Sequence, residues 1–434
     1  MLDERLKRMI SAKVGLIRHV GPQPRSGMEP VPPYLAVANL AHFDFRMAEP
    51  GDRVGAGKGP TEDEAIAAAI GEAVERYCAF QWDPARTFVA RWEEVALAAI
   101  SPPEFVLYSD AQYRSKGWRY RRWTEADETA WIHGSELPSA RQIAVPASLV
   151  YLVHPPPRVE DYFSSSTSNG LAAGSTLPRA ILAALCELME RDAFLVAWMN
   201  RLPAIELDLP ASGELAARLH RHYARFSVEI RAFVLPSDLP ATTVAALSID
   251  PHSGRPAHVV GLGCHPDPEV ALRKALFELC QGRPAEARRY ADKPPHGRLT
   301  RYEDVKTLDD HSAFLSMPEH FAEFQFLWRD GQLARIADFA NPSTGDAEQD
   351  LDHCVRSLTE AGHRVAWIDL TLPDIAESGI HAVRAVVTGL QPIHFGHGQE
   401  RLGGQRLFEL PVKLGLATRA TSVDELNPCP HPLA

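Results

Sequence analysis

A chain of 434 residues with a formal net charge of −11 and no Lys/Arg-rich block is long enough for one large or two to three ordinary domains, and is too acidic for nucleic-acid or anionic-membrane binding to be its main task. No apolar run reaches membrane-spanning length free of charge, and Met1-Leu-Asp-Glu-Arg-Leu-Lys-Arg8 alternates charge where a signal peptide would be apolar, which predicts a cytoplasmic protein. Cys78, Cys186, Cys264, Cys280, Cys354 and Cys429 form no Cys-x-x-Cys pair and read as free core thiols.

In chain order, residues 1–20 read as a charged helix followed by a short strand over 14–20, and residues 21–33 as a Pro/Gly-rich connector. Tyr34-Leu-Ala-Val-Ala-Asn-Leu40 predicts a strand, with Phe43-Asp-Phe45 continuing it or starting another. Gly55-Ala-Gly57-Lys58-Gly59-Pro60-Thr61 invites comparison with a phosphate loop, but the Gly-x-x-x-x-Gly-Lys-Ser/Thr spacing is absent. It is expected to be a flexible entry that lets the next helix begin close to another backbone, with Thr61 and Glu64 as a capping box. That helix carries Glu72-Ala-Val-Glu75-Arg76 in an apolar run.

Residues 81–160 read as irregular, broken by Pro102-Pro103 and Pro155-Pro-Pro157 and punctuated by Trp92, Trp118, Trp123 and Trp131, which suit strand pairs or core better than substrate. Ser164 to Pro178 forms a Ser/Asn/Gly-rich approach, either a polar loop or a source of hydroxyl and N–H donors for phosphate. It leads into Ala180-Ile-Leu-Ala-Ala-Leu-Cys-Glu187-Leu-Met-Glu190-Arg191, the most apolar helix of the chain, with two carboxylates one turn apart. Residues 204–265 alternate strand and helix signals, and Asp267 reads as the cap of a third helix carrying Glu278-Leu-Cys-Gln281-Gly-Arg283. A zinc site from His252, His258, Cys264 and His265 is disfavoured because Val259-Val-Gly-Leu-Gly-Cys264 looks like a buried strand.

From Arg283 to Arg301 the composition suggests an exposed loop, and residues 302–345 a flexible surface segment. A helix over 346–361 stopped by Gly362, strands over 364–370 and 383–387, and a proline-rich tail ending Asn427-Pro-Cys-Pro430-His-Pro432-Leu-Ala434 complete the chain. The tail is expected either to thread into a cleft or to fray.

One Glu-x-x-Glu-Arg is common on solvated helices. Three related patterns on mostly apolar helices predict that acidic and amide oxygens converge with arginines. Burying paired carboxylates is costly unless cations are supplied, and an arginine or Mg²⁺ would do so.

Together these landmarks resemble the YcaO family, through Gly57-Lys58-Gly59 with Glu72, Glu75 and Arg76, through Ser168-Asn169-Gly170 leading to Glu187, Glu190 and Arg191, and through Gln281 with Arg283. Asp369-Leu-Thr-Leu-Pro-Asp-Ile375, Gly389-Leu-Gln-Pro392 and the Pro-His-Pro end add to the likeness, which runs from about residue 14 to the terminus. The resemblance implies an α/β fold of mixed sheets, with buried Glu/Gln-bearing helices around an ATP cleft. It implies an N-terminal segment (1–48) integrated in the fold, a catalytic domain (49–419) and a tail (420–434) reaching the active site. Glu72, Glu75, Glu187 and Glu190 would hold Mg²⁺; Arg76, Ser168, Asn169, Arg191, Gln281 and Arg283 would bind ATP with them; and the terminal carboxylate of Ala434 would act as base.

The tail is similar to that of the azoline-forming cyclodehydratase branch. That branch turns Cys, Ser or Thr of a ribosomally made precursor peptide into thiazoline or oxazoline at the expense of ATP. A leader-binding, ubiquitin-activating-like partner protein, a flavin dehydrogenase and homodimerisation are further implications. Ala68 stands where the family pattern has Ser, Arg179 where an acid is usual, and the tail ends in Leu-Ala rather than proline. Backbone thioamide or amidine formation, a non-catalytic scaffold, and a carboxylate-metal hydrolase without nucleotide are the competing readings.

Overall fold

The computed structural model describes residues 3–25, 27–41, 53–153, 156–252, 255–292 and 299–433. Phe43-Asp-Phe45 and Ala434 lie outside the described residues. Strands β1 (Ile17–Pro22), β2 (Tyr34–Leu40) and β3 (Val54–Gly59) form an antiparallel sheet in chain order. A second sheet has the order β4 (Thr87–Ala90), β5 (Thr129–Leu137), β13 (Val365–Asp369), β14 (His381–Val387) and β7 (Leu171–Gly174), with β6 (Arg141–Pro146) also paired to β5. The third has the order β11 (His258–His265), β10 (Thr242–Ile249), β9 (Glu229–Val234), β8 (Ile205–Leu207) and β12 (Leu333–Ala334).

Three long helices tie these sheets together: α1 (Glu62–Ala79), α2 (Leu177–Asn200) and α3 (Pro268–Asp292). In α2, sixteen of 24 residues are buried, so the helix runs through the interior rather than along a surface. Its first half packs against β14 and the Ala347–Glu360 helix, and its second half against the third sheet. Truncating Leu185, fully buried there, would cost about 2–5 kcal/mol.

The glycine stretch before α1 is a strand rather than a flexible entry. Its alternate residues Gly55, Gly57 and Gly59 lie flat on α1, where a Cβ on Gly57 would enter the backbone of Ala65 and Ala69. The same device recurs where Gly263 of β11 lies on Ala271 and Ala275 of α3. Close strand-to-helix approach, not conformational freedom, is what these glycines supply.

Two further expectations give way. Of the loop expected over 283–301, the part up to Asp292 is instead the end of α3, which continues through Pro284 with Arg283, Pro284 and Tyr290 buried; residues 293–298 lie outside the described residues. The segment over 302–345 joins the core through Phe314, Leu315, Phe324, Phe326 and Leu327, which pack around Trp198. The second segment has no clean period because its apolar residues sit on short helical turns, Leu308–Leu315 and Pro318–Trp328. The tryptophans of the second sheet are core residues: Trp131 donates to the Ala90 carbonyl at 3.0 Å and Trp123 to Thr129 Oγ1 at 2.8 Å. All six cysteines are free and buried. Among the described residues, no helix is long and apolar enough to cross a membrane.

Candidate functional site

Each long helix starts at a capped strand end. Thr61 accepts the Glu64 N–H, Thr176 the Arg179 N–H, and Asp267 the Glu269 N–H. Eleven residues beyond each cap stands a glutamate, namely Glu72, Glu187 and Glu278, and one turn further stand Glu75, Glu190 and Gln281. All six side chains line one cleft of about 1090 Å³. Lys58, Arg76, Ser168, Arg191 and Lys274 line it too, as do Pro432 and Leu433 of the tail.

Cations hold part of this acid set. Glu72 accepts from Arg76 at 2.6 Å and from the Ala56 N–H at 2.8 Å. Glu278 accepts from Lys58 at 2.8 Å and from the Leu262 N–H at 3.4 Å. Arg191 stands 3.4 Å from Glu190. Burial pushes Glu278 up, but Lys58 and Arg191 together bring it below the usual carboxylate range. Elsewhere burial wins: it drives Glu187 up to about 7 and Glu190 upward, in each case against the pull of Arg191. Glu75 lies well above its ordinary value through burial and the neighbouring Glu187 and Glu72. Arg384 of β14 faces both Glu75 and Glu187, and burial lowers its guanidinium to about 10 even though they oppose the shift. Burial thus favours the protonated forms of Glu75, Glu187 and Glu190 where no further cation faces them.

Such all-oxygen donors suit a hard divalent cation. Among the described residues, no three His, Cys, Asp or Glu side chains stand close enough to hold one ion. A cation here would take one or two of these carboxylates and complete its shell with other oxygens, as Mg²⁺ does with phosphates and water. On the third wall, Gln281 Nε2 is buried without a hydrogen-bond partner, a donor suited to an acceptor oxygen.

Arg283 is not part of this cleft. Two residues past Gln281 it is turned about 200° around the helix, where its guanidinium meets Ser248 Oγ at 2.8 Å and the buried Asp250 at 3.1 Å. Asn169 also lies outside, on a small cavity with Arg384 and Arg401. Arg179 is exposed and Ala68 faces the cleft.

Sequence reasoning missed Lys58, dismissed with the phosphate loop, as well as Lys274, Arg384, Arg288 and Arg289. Arg288 follows Gln281 by seven residues, a helical spacing that placed it on the cleft face. Arg384 stood out as one charge inside Val383-Arg-Ala-Val-Val387.

The tail is fastened rather than frayed. Trp198 Nε1 donates to the Cys429 carbonyl at 2.9 Å, and the Asn427 N–H to the Met199 carbonyl at 2.7 Å. His431 donates through Nε2 to the His394 carbonyl, and His311 through Nδ1 to the His431 carbonyl, both at 2.7 Å. Burial keeps all three imidazoles neutral, with His311 lowered to about 4.

A family model described as YcaO cyclodehydratase, ATP- and Mg²⁺-binding, matches residues 56–391. An uncharacterized protein of Methanothermobacter thermautotrophicus is 29% identical over 354 residues, 80% of this chain and 84% of that protein. Among solved structures, a heterocyclase in complex with substrate and cofactor matches with a TM-score of 0.83 and 25% identity, covering 99% of this chain and 56% of that one. YcaO from Methanopyrus kandleri, bound with AMPPCP and Mg²⁺, matches with a TM-score of 0.62 and 26% identity, covering 86% of each chain. The chain thus spans little more than half the length of the solved heterocyclase.

Proposed function

The chain belongs to the YcaO cyclodehydratase family, and from that premise we propose that it converts Cys, Ser or Thr residues of a ribosomally made peptide to thiazoline or oxazoline, using ATP and Mg²⁺. The observation that carries this reading is the convergence of Glu72, Glu75, Glu187, Glu190 and Gln281 from three helices on the cleft that the tail also enters.

Glu72, Glu75, Glu187 and Glu190 would hold Mg²⁺, and Arg76, Arg191, Gln281 and Ser168 would meet nucleotide oxygens with paired or charge-assisted hydrogen bonds. Lys58 joins that set by position. Bound ATP would supply the phosphoryl group that makes the peptide's amide oxygen a leaving group. The side chain's sulfur or oxygen attacks the preceding carbonyl carbon and gives up its proton, and the oxyanion so formed would take the phosphoryl group. Phosphate then departs as the amide N–H proton leaves and the C=N bond forms, so the peptide loses one oxygen and two hydrogens, one water per residue. Leu262, Leu315, Phe324 and Leu433 give the cleft an apolar side, which would exclude water from the peptide and sharpen the electrostatics of the acid side. The carboxylate of Ala434, the residue after Leu433, is proposed as the group that takes the proton; a chain-terminal carboxylate is ionised at neutral pH.

Recognition of the peptide's leader by a ubiquitin-activating-like partner, later oxidation by a flavin dehydrogenase, a homodimer and a cytoplasmic setting belong to the same proposal. Family membership is what supports them.

Mass spectrometry of the precursor peptide after incubation with this protein, its partner, ATP and Mg²⁺ tests the reading. The expected result is loss of one water per modified residue, dependent on ATP and abolished by Glu190→Gln. Exchange of oxygen for sulfur, or an unchanged peptide, would refute it.

A further inference from the structure

β11 is the end strand of the third sheet and, among the described strands, pairs with β10 alone. In an antiparallel pair, alternate residues turn both N–H and C=O toward the partner strand, and the residues between them turn both away. The Asp250 N–H donates to the Ala257 carbonyl at 2.8 Å, so the odd-numbered residues of this ladder face β10. The even-numbered ones face outward. The Leu262 N–H donates to Glu278 Oε1 at 3.4 Å, and the Cys264 carbonyl accepts from Lys274 at 3.1 Å. Side chains of α3 thus close the edge at its Cys264 end. The Val260 N–H and carbonyl and the Leu262 carbonyl have no such cover among the described residues, and both residues line the cleft.

An open sheet edge is a template for an extended chain. This one runs from the acids to the tail: Glu278 stands at Leu262, while the Val260 side chain packs on the cluster that holds Leu315, Phe324 and Leu433 of the tail. Val260 and Leu262 are about 7 Å apart along the strand, so an extended peptide on this edge spans the cleft from its apolar side to its acid side within a few residues.

We propose that the free edge of β11 is where the substrate peptide docks. Residues flanking the Cys, Ser or Thr to be modified add to it as one more strand, donating to the Val260 and Leu262 carbonyls and accepting from the Val260 N–H. This rests on the peptide-cyclising reading above and adds to it where the peptide lies. Such bonds read backbone rather than side chain, so the edge accepts many sequences and excludes a proline at a bonding position.

Fluorescence anisotropy with short labelled peptides centred on the reacting Cys of the precursor tests this without turnover, on the protein loaded with AMPPCP and Mg²⁺. Replacing single backbone amides by esters removes one N–H at a time. Two positions, two residues apart, are expected to weaken binding roughly threefold to tenfold each, the worth of one hydrogen bond, with the position between them silent. Val260→Pro should weaken the all-amide peptide by a similar factor and leave AMPPCP affinity unchanged, because that N–H lies outside the ladder, where proline is tolerated. Val260→Ala, which keeps the N–H, should weaken it less. Should Val260→Pro fail to fold, the ester series on the wild type decides alone. Ester effects at consecutive positions or at none, wild-type peptide affinity in Val260→Pro, or displacement of the peptide by a second copy of the chain would overturn the proposal. An alternating pattern with no water lost from the peptide under ATP would leave the docking edge standing and overturn only the cyclisation reading.

Discussion

Asp192, fully buried one residue after Arg191, depends on Arg406, which grips both its oxygens at 2.7–3.0 Å. Arg406→Met would strand that carboxylate without its cation, and urea unfolding should show a loss of about 3–5 kcal/mol; a loss under about 1 kcal/mol, the scale of an exposed pair, would contradict this. Glu187 gives a pH signature. Its folded-state value of about 7 exceeds the ordinary 4.5, so the folded form binds the proton more tightly than the unfolded form. Stability therefore falls as pH rises from 4.5 to about 7 and is not recovered above. Without Mg²⁺, Glu187→Gln should flatten the melting-temperature profile across that window; superimposable profiles would sink the idea. At this scale the sequence identified the acids, because Glu-x-x-Glu in an apolar helix is visible by eye. It misjudged Arg283, because the needs of Asp250 and the helical phase two residues past Gln281 are invisible until the strands are placed.

The strand-to-helix unit is where glycine pattern, cap and acid position are linked. Gly57→Ala and Gly263→Ala should each destabilise by about 1–3 kcal/mol or more, since the neighbour that must yield is helix backbone rather than a side chain; unchanged denaturation midpoints would contradict the flush packing. Gly-x-Gly before a capped helix was legible, but it read as a loop because glycine has little strand preference. The tail behaves as an element too. Removing Leu433 and Ala434 should abolish cyclisation while AMPPCP binding survives, since none of the groups proposed for the nucleotide lies on the tail; cyclisation at the wild-type rate would exclude the terminal carboxylate as base. Proline spacing announced an extended tail. It did not announce the docking, which depends on Trp198, His311 and His394 from three distant parts of the chain.

At the scale of the whole molecule, three sheets each deliver one helix to a common cleft. The three acidic patterns were readable locally and pointed to convergence, and the fold class came through the resemblance they carry. Which side chains pair within the cleft was not readable, because that depends on contacts between helices separated by about a hundred residues in the chain. The most direct test is a crystal structure with AMPPCP and Mg²⁺. The account predicts metal density against the carboxylates of α1 and α2, with the triphosphate in the same cleft. Nucleotide bound outside this cleft, or metal density remote from Glu72, Glu75, Glu187 and Glu190, would contradict it.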